Sequence, residues 1–353
     1  MKLYPNVSII FCIWVLAVFS IFYLGFSSVP HVDDSYSNFL VNLGSWDGGH
    51  YLGIAETGYS EKFQYAFFPL YPVAIKILNL VTHNYLSAGV LVSMTSTFLG
   101  LHLLYILVKK DFDKKIAERT VLAFLFFPTS FFLLTVYSEG LFFFLAVLTF
   151  YFLRQKKLFW AVVAAIFVSA TRLVGLAVAA GLMIEVIVTQ GFSRKNWYIL
   201  FAPLGLVIYC IYLYQQTGDP LYFITAENHW QRIIAFPGVG FWETIRQITD
   251  GGFVKPNINF FRDLIFAIFG VGFTIRSFRF LPMSLAIFAL VAVVIPLFTP
   301  TLSSMPRFLL VVFPLFIVAA LIKNRFISFA YLLFSVMTLG LFASLFINGY
   351  WVS

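Results

Sequence analysis

Long apolar runs separated by short polar breaks dominate this chain, and their spacing matches the thickness of a bilayer. A helix that crosses a membrane needs about 20 mostly apolar residues. Runs of that kind cover 7–27, 85–108, 120–136, 173–190, 197–215, 259–275, 280–298 and 326–347. Three shorter runs, 140–153, 158–171 and 308–322, fit the same pattern if polar residues that face protein extend their ends. The stretch 67–82 is apolar but short, holds two prolines and Lys76, and reads as an interfacial or re-entrant helix with Lys76 snorkelling. Were it to cross, Lys109, Lys110, Lys114 and Lys115 would fall outside, against the preference of Lys and Arg for cytoplasmic loops. The pattern therefore predicts an all-α polytopic membrane protein with about eleven transmembrane helices, its amino terminus inside and its carboxyl terminus outside. Pro128, Pro203, Pro296 and Pro314 lie within runs and are expected to kink helices rather than end them. The first run is too long, and lacks the small-residue cleavage site, for a removable signal peptide.

Composition narrows the function classes. Charged residues make up 11% of the chain, against about 25% in soluble domains. Too few charges remain to cover a water-soluble globule, which excludes a soluble enzyme, a nucleic-acid module, a coiled coil and a disordered chain. Cys12 and Cys210 both sit inside apolar runs, so a disulfide scaffold is excluded as well. The net charge of +8 belongs to topology and not to a nucleic-acid partner. Fifteen of the 23 Lys and Arg, Lys2 among them, thread to the inner side, and eight, Lys255 included, to the outer side or its edge. The outer side then holds two long polar stretches, 28–66 and 216–258, and the turns 137–139, 171–172 and 299–307. Short helices are expected at 35–44 and 49–58, within a single membrane domain spanning 1–353 that has no internal repeat.

Candidate chemistry concentrates on that outer side. Trp46-Asp47-Gly48-Gly49-His50-Tyr51 sets an acid and an imidazole among aromatic rings. Lost solvation there should raise the pKa of Asp47 toward the range that suits a general base. The competing reading is an interface-anchored loop, where Trp and Tyr belong in any case. His50 has no second His or Cys at ligand spacing, so no metal site is assigned to it. Asp33 and Asp34 could bind a metal or, more ordinarily, cap a helix. Glu139 in Tyr137-Ser138-Glu139 and Arg172 in Thr171-Arg172 stand between apolar runs, where ionisable groups default to functional hypotheses, with interfacial turns as the alternative. Asp219, Trp230 and Arg232 mark the second outer stretch, and Arg307 begins a span at a depth suited to gripping a lipid phosphate. Glu185 sits near the inner end of its run, and few other charges lie within spans, so an ion relay through the bilayer fits less well than chemistry at the outer face.

Several of these segments resemble the signature of the PIG-V (GPI mannosyltransferase II) family and its prokaryotic relatives. The matching runs are SWDGGHYLGIAETGY at 45–59, AFFPLYP at 66–72, FPTSFFLLTVYSEGLFF at 127–143, TRLVG at 171–175, GDPLYF at 218–223 with Trp230 beyond, and SSMPRFLLVVFPLF at 303–316. The resemblance implies a GT-C fold and an inverting glycosyltransferase whose site opens to the non-cytoplasmic side. Its donor would be a polyprenyl- or dolichyl-phosphate sugar, typically mannose, and its acceptor a lipid or glycan. By motif Asp47 becomes the general base, Arg307 and Arg172 the candidates for holding the donor phosphate, and Trp46, Tyr51, His50, Glu139, Asp219, Trp230 and Arg232 site-lining residues. No second acid stands beside Asp47 in the motif, so no cofactor is assigned and dependence on a divalent cation is left open. The implied location is the cell membrane with the site outside, or the endoplasmic-reticulum membrane with a luminal site in a eukaryote. The rival classes are a transporter or flippase of lipid-linked sugars, expected to show repeats and ionisable groups at the midplane, and a non-catalytic lipid-binding subunit.

Overall fold

The computed structural model describes residues 3–251 and 258–352. Lys2, Lys255 and the 252–257 part of the second polar stretch lie outside the described residues. In chain order the first half folds into α1 (Pro5–Ser28), α2 (Asp47–Thr57), α3 (Leu70–Thr82), α4 (Tyr85–Asp111), α5 (Lys114–Leu125), α6 (Glu139–Arg154), α7 (Leu158–Ser169) and α8 (Gly175–Gln190). The second half adds α9 (Leu204–Thr217), α10 (Tyr222–Ala226), α11 (Val239–Gly251), α12 (Ile258–Phe280), α13 (Met283–Val294), α14 (Met305–Leu310), α15 (Pro314–Ala320) and α16 (Arg325–Ile347). No strand occurs among the described residues.

Among the described residues, α1, α4, α12 and α16 are the helices long and apolar enough to cross a bilayer in one piece. The prolines explain much of the rest, and they do the opposite of what the run lengths suggest. The run 120–136 is not one helix: α5 stops at Leu125, and Pro128, which has no N–H to donate, lies in a buried irregular stretch that continues to Ser138. Side chains take up carbonyls there, Ser130 Oγ donating to Leu125 and Thr97 Oγ1 donating to Leu133 at 3.2 Å. Non-helical backbone at membrane depth is tolerated only where protein satisfies it in this way. Pro203 stands just before α9, Pro296 lies in a 3-10 turn after α13, and Pro314 opens α15. The run 308–322 is accordingly divided between α14 and α15. These prolines sit at helix ends, where a fixed φ and a missing N–H cost little.

The stretch 67–82 becomes α3, whose 13 residues extend about 20 Å at 1.5 Å per residue, short of a crossing. Tyr71 anchors it to the first half of α4, its Oη lying 3.1 Å from the Gly89 carbonyl and 2.7 Å from Ser93 Oγ. Ile77, Leu80 and Val81 point outward from it. One continuous apolar core joins α1, α4–α8 and α12–α16, rich in phenylalanine.

Polar residues collect at the two ends of this core. At one end Arg154 binds Asp111 at 3.1 Å, pairs with Glu185 and donates to Ser284 Oγ at 3.3 Å, tying α4, α6, α8 and α13 together. The opposite end gathers the 28–66 stretch, the 137–139 and 171–172 turns, the segment after α9, the 299–307 turn and the tail after α16.

Candidate active site

The 41–46 segment is pinned before α2 begins. Val136 N–H donates to the Leu43 carbonyl at 3.0 Å, and Tyr137 Oη donates to the Ser45 carbonyl at 3.2 Å. Trp46 then takes φ 60° and ψ −124°, a region that costs a non-glycine residue of order 1–3 kcal/mol and persists only where the surroundings impose it. This turn sets Asp47 as the first residue of α2, where the helix dipole favours a carboxylate. Gly48 follows because a Cβ there would lie 3.2 Å from the Val136 carbonyl.

Arg307 arrives from the other end of the chain. Ser304, at φ 67°, is a second non-glycine residue in the left-handed region, and it turns the chain into α14. Arg307 Nη1 meets Asp47 Oδ2 at 2.6 Å, and its Nε lies 3.6 Å from Glu139 Oε1. Glu139 is fully buried at the start of α6 and is also held by Arg172 Nη1 at 2.6 Å. Arg172 Nη1 further donates to Ser138 Oγ at 3.0 Å, which shares a 3.0 Å hydrogen bond with Tyr51 Oη. Glu139 Oε2 has no hydrogen-bond partner among the described residues. Gly140 keeps this junction tight, since a Cβ would stand 2.7 Å from the Ser93 carbonyl on α4. The expected loss of solvation at Asp47 therefore meets a guanidinium, a partner that the local motif did not supply.

These groups meet on the wall of a cavity of about 640 Å³ lined by Asp47, Tyr51, Arg172, Trp230, Arg232 and Arg307, with Glu227 among them. Apolar side chains complete the lining, among them Leu173, Val174, Ala292, Ile295, Phe308 and Val311. Arg232 donates from Nη2 to the Ser303 carbonyl at 3.0 Å and lies over the Phe308 ring at 4.7 Å. Burial pushes the Glu227 carboxyl above the usual carboxylate value, with Arg232 pulling the other way.

The remaining sequence candidates sit apart from the cavity. His50 lies tilted against Phe67 at 5.1 Å and edge-on to Phe63 at 5.2 Å, and burial pushes its imidazole below the usual histidine value against the pull of Asp47. Trp46 lies edge-on to Trp351 at 5.1 Å. Asp219 does not line this cavity; its Oδ1 accepts the Leu221 N–H at 2.9 Å, a local turn cap. Asp33 caps in the same manner, accepting from Ser35. Among the described residues no three His, Cys, Asp or Glu side chains converge as ligands for a metal.

Glu227 and Trp351 both line the cavity and escaped the sequence reading. Glu227 had a signal, since it and Arg232 flank Trp230 in ENHWQR. Trp351 had none, standing alone near the end of the chain.

The described residues form an all-helical, integral multi-pass membrane bundle with a buried arginine–carboxylate cluster at one end, on the wall of a cavity that also has apolar lining. The fold is similar to that of ArnT from Cupriavidus metallidurans bound to undecaprenyl phosphate, with TM-score 0.52 and 15% identity over 92% of this chain and 62% of that one. The apo state of the same protein gives TM-score 0.50 at 17% identity, over 92% and 61%. The chain thus spans under two thirds of the length of these structures. Residues 15–214 match the family model "Mannosyltransferase (PIG-V)", and the chain belongs to that family. No curated protein matches the sequence.

Proposed function

We propose that the protein transfers a hexose, mannose by its family, from a polyprenyl- or dolichyl-phosphate sugar to an acceptor hydroxyl on the non-cytoplasmic face of its membrane. The observation that carries this reading is the meeting of Asp47 and Arg307 at 2.6 Å, on the wall of a cavity that combines three arginines with many apolar side chains. A lipid-phosphate sugar combines the same two chemistries, an anionic headgroup and a hydrocarbon tail. The undecaprenyl phosphate bound by ArnT is a ligand of that chemistry.

Asp47 is the general base. Its carboxylate takes the proton from the acceptor hydroxyl as that oxygen attacks C1 of the sugar. The bond from C1 to the phosphate oxygen breaks on the opposite face, which inverts the anomeric centre and releases the prenyl phosphate. A phosphate leaves without protonation, so the chief electrostatic help comes from cations set in advance around it. Arg307 and Arg172 take that task, and Arg232 lines the same cavity. Without substrate Arg307 is shared by Asp47 and Glu139. An arriving phosphate competes for the same guanidinium and leaves Asp47 free to accept the acceptor's proton. A lone base contributes roughly 10²–10⁴-fold, so holding donor and acceptor together must supply much of the remainder.

The test is turnover of polyprenyl-phosphate mannose by the purified protein in lipid nanodiscs. Asp47→Asn should lower transfer by about 10²–10⁴-fold while prenyl phosphate still binds; unchanged transfer would remove Asp47 from the mechanism, whereas no transfer by the parent protein would favour a flippase or a binding subunit. Cysteines placed singly at 113, 155 and 229 read the orientation in cells. Position 229 should react with an external reagent, and 113 and 155 only after permeabilisation.

A further inference from the structure

Asp47, Arg172 and Arg307 line the cavity, and Glu139, the carboxylate that joins the two arginines, does not. Its side chain is fully buried, and it is the first residue of α6, where the helix dipole favours a negative charge. A single oxygen, Oε1, faces both cations: Arg172 Nη1 at 2.6 Å and Arg307 Nε at 3.6 Å. The close approach of Gly140 to the Ser93 carbonyl fixes this end of α6 against α4. Glu139 therefore meets the two guanidiniums from the protein side, out of reach of anything bound in the cavity.

Charge bookkeeping through one turnover gives this arrangement a purpose. The lipid-phosphate sugar is a phosphodiester with a single negative charge. Its prenyl phosphate product is a monoester, whose second ionisation near pH 6 brings it to about −1.5 to −2 at pH 7. Two unopposed guanidiniums would hold that product more tightly than the donor, and turnover would stall at release. Two arginines and two carboxylates meet here. Asp47 takes the acceptor's proton during transfer, so its negative charge disappears at the moment the product gains one. Of the four groups, Glu139 is then the one that still opposes the arginines, in a site desolvated enough for the opposition to count.

We propose that Glu139 is a positioning residue that holds Arg172 and Arg307 together as one phosphate clamp and offsets their charge, so that the clamp grips a singly charged donor and still releases a doubly charged product. The proposal rests on the glycosyltransferase reading above and adds to it the residue that governs product release. Glu139 acts through the guanidiniums and touches neither substrate.

Radiolabelled undecaprenyl phosphate is equilibrated with parent and Glu139→Gln protein in nanodiscs, with empty nanodiscs as the blank, and transfer from polyprenyl-phosphate mannose is followed by rapid quench. Glu139→Gln keeps the shape and an accepting oxygen but removes the charge. Its Kd for undecaprenyl phosphate should fall at least fivefold, and its KM for the donor should fall by less. The ratio of first-turnover to steady-state rate should rise at least fivefold over the parent, because release becomes limiting. A buried acid with a merely structural role would do the reverse on removal, weakening both lipids and leaving the ratio alone. A smaller fall in Kd, no fall, or an unaltered ratio would overturn the proposal. If Glu139→Gln does not fold, Glu139→Asp decides, since it keeps the charge but draws it back by one methylene: its Kd should fall at least twofold, and anything less overturns the proposal. Failure of the glycosyltransferase reading shows separately, as parent protein that neither binds undecaprenyl phosphate nor transfers mannose.

Discussion

Among the described residues two arginine–carboxylate clusters, around Arg154 and around Arg307, stand at opposite ends of the bundle, and of these two it is the Arg307 cluster that lines a cavity. At the basic end all three nitrogens of Arg154 are engaged, by Asp111, Glu185 and Ser284, and Lys110 takes its carbonyl at 2.7 Å. None of these five residues lines the cavity. At the other end Arg307 is shared between Asp47 and Glu139, and Glu139 keeps one oxygen without a hydrogen-bond partner among the described residues. Buried charge is costly wherever it sits. A cluster that satisfies itself holds helices together, whereas one whose groups face a cavity is completed by what enters. The comparison teaches that an ionisable group at membrane depth becomes a site only together with a cavity and unfinished bonding.

The largest effect that could break this contrast is expected at Asp47. Asp47→Asn should lower single-turnover transfer by about 10²–10⁴-fold with prenyl-phosphate affinity kept, as read by rapid quench and by binding of labelled lipid. Next comes Arg307→Gln, with a loss of roughly 10²–10³-fold; Arg307→Lys should restore part of it, because charge returns without the planar fork. Equal rates for Arg307→Gln and the parent protein would move the phosphate contact to Arg172.

At the other cluster the readout changes in kind. Glu185→Gln should cost about 1–3 kcal/mol of stability, seen as a lower Tm, while kcat/KM for the donor stays within twofold. A loss of turnover without a loss of Tm would erase the distinction between the two ends.

The smallest effect belongs to Glu227, whose folded pKa is raised above the ordinary carboxylate value of 4.5 by burial. Between that value and the raised one, the native protein holds a proton that the unfolded chain has released. Its stabilising contribution is complete below the ordinary value and is lost as pH rises through the folded one. Glu227→Gln should flatten that part of the Tm-against-pH curve; an unaltered slope would mean that Glu227 is not the group responsible.

Much of the fold could be read from run lengths, because a bilayer sets one length scale and the four uninterrupted helices obey it. Breaks within runs could not. Pro128 is compatible with a kink or an end, and the end was chosen by Ser130, Thr97 and the Leu43 carbonyl, partners supplied from within and beyond its own run. The site was legible in parts: Asp47, Arg172, Arg232 and Arg307 stood out because charge is rare in this chain, and all four line one cavity. Asp219 stood out for the same reason and proved to be a turn cap, since the chemistry of capping and of catalysis uses the same residue type.

By itself the sequence determined that the chain lives in a membrane, that it is helical, and which few polar residues had to be accounted for. Hydrophobicity and charge scarcity are local properties that need no knowledge of neighbours. The tertiary structure alone decided that Asp47 faces Arg307, 260 positions away in sequence, that Arg154 is a clasp, and that Trp351 lines the cavity. Each is a relation between distant segments, fixed by packing and by the cost of leaving a buried charge unpaired.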